Sequence, residues 1–477
     1  MTKKRLTSSQ VLHKGGLLVT VLVFASIGIL MLTGLVAWTG MNARVLRTAT
    51  SRELAFHVAE AGIDYYRWHL AHAPTDYQDG TGVAGPYVHP FYDTAGNMVG
   101  NFSLTITAPV AGSTIVRVRS TGSTIAEPTI TRKIEVLFAI PSFAKYAWVL
   151  NSFVNFGSTA YVYGPIHSNT GLRFDGIAYN LVTSATSTFD DPDHSGGYEF
   201  GVHTHDSPVD PLPPAAVPNR ADVFVAGRQF PVPAVDFTGI ISDLSQIKSA
   251  AQSEGRYFAA SGGLGYHVVL KTNDTFDLYR VNTMYSKSGC SCSGTGCGTL
   301  SIKSGGETFL SNYTFPANGL IFVEDHMWVN GTIDGARLTI ASAKFPDNPS
   351  TRTNINVTND IRYTNYDGTD VIGLIAQGNF NVGLVSEDDL RVDAAIIAQN
   401  GRIGRYSYTS ECSPNHLRTL LTTYGMLGTN QRSALWYGSN GYQTRNYIYD
   451  ANLLYAPPPS FPLTADQYIT ISWEEVE

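Results

Sequence analysis

LLVTVLVFASIGILMLTGLVAW, residues 17–38, is the stretch on which the reading of this chain turns. No charged residue occurs anywhere from 15 to 43. About 20 such residues span the apolar core of a bilayer. The run exceeds the roughly 7–15 apolar residues of a secretory signal, and no small-x-small cleavage site closes it, so retention as an anchor is expected. Lys3, Lys4, Arg5 and Lys14 flank it on one side and Arg44, Arg47 and Arg52 on the other. Counting positive charges therefore favours a cytoplasmic N-terminus by a small margin.

The helical pattern does not stop at the membrane. Leu46, Thr50, Leu54, Val58, Ala61 and Tyr65 continue a stripe at spacings of three and four, and nothing breaks it before Pro74. A single helix over residues 17–72 would be about 84 Å long at about 1.5 Å per residue, half in lipid and half outside. The competing arrangement is a transmembrane helix, a short break and a separate amphipathic helix. Three alternating strands follow, at residues 102–107, 114–120 and 130–138. Their Leu104 and Ile106, Val116 and Val118, and Ile134 and Val136 can cover one face of an antiparallel sheet. That face needs a partner, and the outer half of the helix is the nearest.

The run Arg52-Glu53-Leu54-Ala55-Phe56-His57-Val58-Ala59-Glu60-Ala61-Gly62 resembles the end of the N-terminal helix in PilX-type minor pilins of type IV pili. Lys14-Gly15-Gly16 before the apolar run resembles the site cut by a prepilin peptidase, which makes Gly15 and Gly16 the candidate cleavage residues. The resemblance covers roughly residues 10–140. It implies a membrane-anchored, exported subunit whose partners are other pilin-like chains, with Ala59, Glu60, Ala61 and Gly62 packing against the sheet. Typical pilins carry Glu at the fifth mature position, where it neutralises a neighbour's amine in lipid. Here Thr20 or Val21 would stand there, which points to the tip of a filament, to assembly priming or to a non-polymerised anchor.

The chain of 477 residues has room for two to four folded units. Four segments share an apolar run, a polar turn and an apolar-x-apolar step; they begin at Gly164, Ile321, Leu374 and Ile396, the last two 22 positions apart. That is a sensible length for one coil of a β-solenoid, in which each coil buries its inward row by stacking on the next. Asn330-Gly331 and Asp334-Gly335 leave only two residues between them, too few for a hairpin strand but suited to a solenoid corner. The expected fold class is mainly β: a pilin-like helix and antiparallel sheet, then a right-handed β-solenoid-like head carrying an inserted α+β subdomain. A β-sandwich is the alternative for the head. The boundaries that follow are 1–43 (basic flank and membrane helix), 44–140 (helix and sheet) and 141–188 (first coils). Beyond them lie 189–318 (insertion), 319–408 (remaining coils) and 409–477 (a Tyr/Pro-rich cap). Within the insertion a helix is expected over 236–254, with Ile240, Leu244, Ile247 and Ala251 inward, and strands over 267–270 and 275–281. The Tyr-rich span 406–455 is the candidate contact face.

Asp190, Asp191, Asp193, His194, His203, His205 and Asp206 crowd a short stretch whose imidazoles and carboxylates suit Zn²⁺ or another transition metal. Asp193, His194, His203 and His205 are the candidate ligands, although the spacing matches no standard zinc motif and a solvated loop is the competing reading. Cys290, Cys292, Cys297 and Cys412 suit two disulfides in an exported protein or a four-thiolate metal site. A bond between Cys290 and Cys292 would be strained, so Cys297 is expected to take one of them and Cys412 the other. Of paired acids for glycan cleavage, Glu387, Asp388, Asp389 and Asp393 form the best group and Asp175 the next. Nothing around them supplies a base or a groove, and no nucleophile, zincin or phosphate-loop motif occurs. No catalytic residue and no cofactor are therefore assigned, and an enzyme is not expected. The net charge of −7 gives no footprint for nucleic acid. Three roles remain open: a structural or adhesive surface subunit meeting a surface glycan or a host or partner-cell ligand, an anchored glycan hydrolase or lyase, and a metal-binding surface protein.

Overall fold

The computed structural model describes residues 14–109, 114–237, 240–454, 456–463 and 467–476. Lys3, Lys4, Arg5 and Tyr455 lie outside them. The chain forms two compact units, one of residues up to 107 with 117–137 and 472–477, the other of 108–116 and 138–471.

In the first unit, α1 (Lys14–His72) runs without a break. It ends where Pro74 follows, with His69 and His72 in the last turn, where the negative end of the helix dipole favours them. Gly15 and Gly16 lie in its first turn. The sheet beside it has the order Tyr87–Tyr92, Met98–Thr107, Val116–Thr124, Thr131–Ala139, Ile469–Val476. Its first two ladders are antiparallel. Two of these strands escape a pattern reading. Tyr87–Tyr92 alternates in burial but carries Pro90, which speaks against a strand, and Ile469–Val476 is exposed on nearly every residue and does not alternate.

The buried face of α1 is turned from the expected stripe. Ser51, Ala55, Val58, Ala59, Gly62, Ile63, Tyr66 and Leu70 are buried, while Leu46 is exposed and Leu54, Ala61 and Tyr65 are only half-buried. Ala59 and Gly62 thus meet the sheet, and Glu60 and Ala61 sit at its margin. The reason is backbone approach: a Cβ added at Gly122 would lie 2.1 Å from the Ala55 carbonyl oxygen and 2.5 Å from the Ala59 nitrogen. Small residues stand where Gly122 meets the helix backbone, and Val58, Ile63, Tyr66 and Leu70 fill the rest of the buried face.

The second unit is built on three parallel ladders. In the first, one row of residues runs in register through Arg256, Ile321, Ile340, Leu374, Ile396, Leu427, Trp148, Ile166, Val182 and Arg228. Its eight central members are buried in one apolar core. The two segments 22 apart are neighbours, Leu374 on Ile396. The intervening residues Val149, Phe322, Ala341, Ile375, Ile397 and Met426 face outward and are covered by α2 (Ile240–Ser253) and by Leu453 and Phe461. Both faces being covered, these strands read as unbroken apolar runs. Leu244, Ile247 and Ala251 of α2 are buried; the side chain of Ile240 lies outside the described residues.

The order of that row departs from the order of the chain. The chain starts at Trp148 in the middle of the stack, winds to Arg228 at one end, resumes at Arg256 at the other and winds back until Leu427 pairs with Trp148. Arg256–Phe258 and Gly265–Leu270, expected inside an insertion, are therefore rungs of the stack. Leu417–Thr429 and Gly441–Tyr449, expected in a cap, are rungs as well. Two strands carry the chain around corners at glycines with positive φ. Met327–Ile333 changes partners at Gly331 (φ 114°) and Leu417–Thr429 at Gly425 (φ 142°). At each, a Cβ would strike a neighbouring carbonyl oxygen.

Candidate functional site

The short ladder of Val154–Phe156, Leu172–Phe174 and Val202–His203 positions the His/Asp stretch. His203 stands in register with Arg173. Just before it, Glu199–Phe200 pairs back on Thr188–Phe189 and brings the intervening loop over the same place. Asp191, Glu199, His203 and His205 come together there, one ligating atom from each lying within 4.8 Å of the others. His203 is 1% exposed, Asp191 1% and Glu199 5%. His203 Nε2 lies 3.1 Å from Glu199 Oε2 and 3.6 Å from Asp191 Oδ2, and His205 Nε2 lies 2.5 Å from Glu199 Oε1. His203 Nδ1 donates to the Phe200 carbonyl at 2.9 Å.

Around these four, Arg173 bridges Asp175 (2.8 Å) and Asp191 (3.3 Å), and Asp175 also accepts the His205 N–H at 2.8 Å. Burial pushes the Asp191 carboxyl up, but the Asp193 N–H, the Arg173 guanidinium and His203 together hold it below the usual carboxylate range. Among the expected ligands, then, His203 and His205 converge. His194 stands at the rim, its Nδ1 3.2 Å from Glu199 Oε1. Asp193 turns away to an exposed pair with Arg432, and Asp190 and Asp206 are exposed. Glu199 was not among the expected ligands. Its one signal in sequence is a position four residues before His203, which means little until the hairpin is known.

The cysteines pair as Cys290 with Cys412 and Cys292 with Cys297. They tie a Gly-rich loop to Tyr406, Tyr408 and Leu384. The acids considered for glycan cleavage are held in local structure. Asp393 is fully buried and accepts bonds from the Tyr363 N–H, the Tyr366 hydroxyl and Arg391; burial raises its pKa. Asp388 caps Thr419. Glu387 bonds Asn359, with its pKa raised first by burial and then by Asp360. Asp389 is exposed. The expected Tyr face is interior: Tyr406, Tyr408, Tyr442 and Tyr447 are at most 4% exposed. Tyr442 and Tyr447 fill the stack, Tyr406 and Tyr408 pack under the cysteine loop, and Tyr437 alone of the described tyrosines in that span is exposed; Tyr442 donates its hydroxyl to the Glu387 carbonyl.

A cleft of about 1140 Å³ opens where the short ladder stops and the 431–438 loop takes its place. Arg352, Arg402, Arg432 and Arg445 line it with Asn155, Tyr406 and Trp436; among the described lining residues none is a carboxylate, although Arg432 pairs with Asp193 and Arg352 with Asp347 beside it.

No family model matches the chain, and no curated protein matches it in sequence. Among solved structures it is similar to the competence-associated pilin ComZ from Thermus thermophilus, at 13% identity over 89% of this chain and 98% of that one, with a TM-score of 0.29. A likeness of that size assigns no role.

Proposed function

We propose that the chain is a membrane-anchored, pilin-like surface subunit that exports a β-solenoid head, with a structural or adhesive role at a filament tip, in assembly priming or as a non-polymerised anchor. One observation carries the reading: α1 is a single helix whose first half is apolar and wholly exposed and whose second half packs on a small antiparallel sheet. The most apolar eighteen-residue window of α1 buries nothing within the protein. The hydroxyls in this half turn back onto their own helix, Thr20 onto the Gly16 carbonyl at 2.8 Å and Ser26 onto the Leu22 carbonyl at 2.7 Å. Lipid, which offers no hydrogen bonds, demands that arrangement. The solenoid reading of the head is supported by the parallel registers of its ladders, and export by its four paired cysteines. The absence of Glu at Thr20 and Val21 supports a tip or anchored position over a place in the shaft.

Gold labelling of the tagged protein on sheared pili and on envelopes tests this. Label at filament ends or confined to the envelope is expected, and label spread evenly along shafts would sink the proposal. The adhesive part rests on the cleft, whose arginines, amides and aromatics without a carboxylate suit binding of an acidic glycan more than its hydrolysis. Arg402→Ala should weaken binding to acidic polysaccharide and leave neutral polysaccharide unaffected.

A further inference from the structure

We propose that Asp191, Glu199, His203 and His205 form a closed, structural site for one divalent transition-metal ion of the Zn²⁺ class, independent of the membrane role. The donor set is two imidazoles and two carboxylates, which such ions take readily. Ligands held about 2.0–2.2 Å from a tetrahedral ion stand roughly 3.3–3.6 Å from one another. The separations of 3.1 and 3.6 Å from His203 Nε2 to Glu199 and Asp191 fall close to that range, whereas His205 Nε2 and Glu199 Oε1, at 2.5 Å, stand at hydrogen-bond distance and would move apart around an ion.

Two ligand atoms also lack any other use. His203 Nε2 and Glu199 Oε2 are buried and have no hydrogen-bond partner; at 3.1 Å they face each other without the alignment of a bond. Buried polar atoms seldom go unpaired, and two that converge on one point are accounted for by an ion between them. The surrounding bonds prepare them for it. Because His203 Nδ1 donates to the Phe200 carbonyl, its proton sits on that nitrogen and the lone pair of Nε2 points into the cluster. Arg173 and the Asp193 N–H orient Asp191 in the same way.

Charge gives a separate argument. Asp175, Asp191 and Glu199 bring three carboxylates, and Arg173 is the one guanidinium bonded to this group. Imidazoles that bind a metal are neutral, and with them in that form the group carries a deficit that a dication fills. The competing state has both imidazoles protonated, with no metal. With four protein donors and His203 almost fully buried, no open position is left for substrate, so the ion clips the loop between Phe189 and Glu199 onto the Val202–His203 rung.

The full chain in detergent, stripped with chelator and dialysed to equilibrium against Zn²⁺, should retain one equivalent by elemental mass spectrometry. Its melting temperature should rise when the metal is returned. Co²⁺ in its place should give the visible bands of a tetrahedral nitrogen–oxygen site without thiolate charge transfer. Glu199→Gln and His203→Asn should each abolish the retained equivalent, and His194→Asn should keep it. A stripped wild-type chain that takes up no zinc and gives no cobalt spectrum overturns the proposal, whatever the variants do; so does a folded Glu199→Gln chain that keeps its equivalent. Thermal stabilisation by acid instead of zinc, with no uptake, would establish the doubly protonated pair in its stead.

Discussion

The two halves of α1 share one backbone and one helical geometry, yet their apolar residues serve opposite ends. In the first half bulk is presented outward: Leu17 is 76% exposed, Leu30 70% and Met31 72%. In the second half the packed face combines Val58, Ile63, Tyr66 and Leu70 with small Ser51, Ala55, Ala59 and Gly62, Ala55 and Ala59 standing where Gly122 touches the helix, while Trp68 stays 59% exposed. Hydrophobicity alone therefore does not choose the face that packs. For the exposed half in the proposed bilayer, the requirement would be apolar bulk with every hydroxyl bonded internally. Against a sheet whose Gly122 touches the helix backbone, the requirement is absence of volume.

Substitutions can break or sharpen that contrast. The largest effect is expected from Ile29→Arg, since a charge at mid-membrane costs about 2.5–3.5 kcal/mol on insertion scales. The variant should leave the carbonate-washed membrane pellet while the unfolding of the head is unchanged. Full retention in the pellet would mean that the exposed half does not span lipid.

Next comes Gly122→Ala, which sets a methyl against helix backbone that has no rotamer to move. Overpacking of that kind costs about 2–3 kcal/mol, read as a lower urea midpoint of the first unit. An unaltered midpoint would show that helix and strand are not in backbone contact. Gly62→Ala meets the Ser120 hydroxyl at 2.3 Å and the Phe102 ring at 2.8 Å. The hydroxyl can rotate and the ring must shift, so a loss of about 1 kcal/mol is expected in the same assay. The smallest effect belongs to Leu32→Ala in the exposed half, which should change the unfolding free energy by under about 0.5 kcal/mol. A larger shift would place Leu32 against protein.

Much of this was legible in the chain itself. An uncharged run of this length and its continuation to Pro74 report one long helix, because periodicity and length are local properties. The strands around Leu104, Val118 and Val136 were legible for the same reason, their alternation recording one buried face. The helix stripe was right at Val58 and turned elsewhere, because spacing alone does not fix the face to within one residue, while the small pair Ala59 and Gly62 does meet the sheet as their size suggested. Of the metal-type cluster, sequence gave His203 and His205 from their alternation but missed Glu199 and favoured Asp193, since nothing local says which carboxylate a hairpin will fold inward.

What only the tertiary structure decided is the order of neighbours. An apolar row buries itself equally well on any rung of similar width, so the pattern at Leu427 carries no sign that its partner is Trp148, 279 positions earlier in the chain. The sequence by itself determined that these segments are buried strands, through unbroken apolar runs between polar turns, but not which of their two covered faces is inward. The winding from the middle of the stack outward and back again, the last strand returning to the first sheet, and the four donors meeting at His203 depend on contacts between distant segments. Those contacts are selected by the shape and hydrogen bonding of the whole, which a local pattern does not encode.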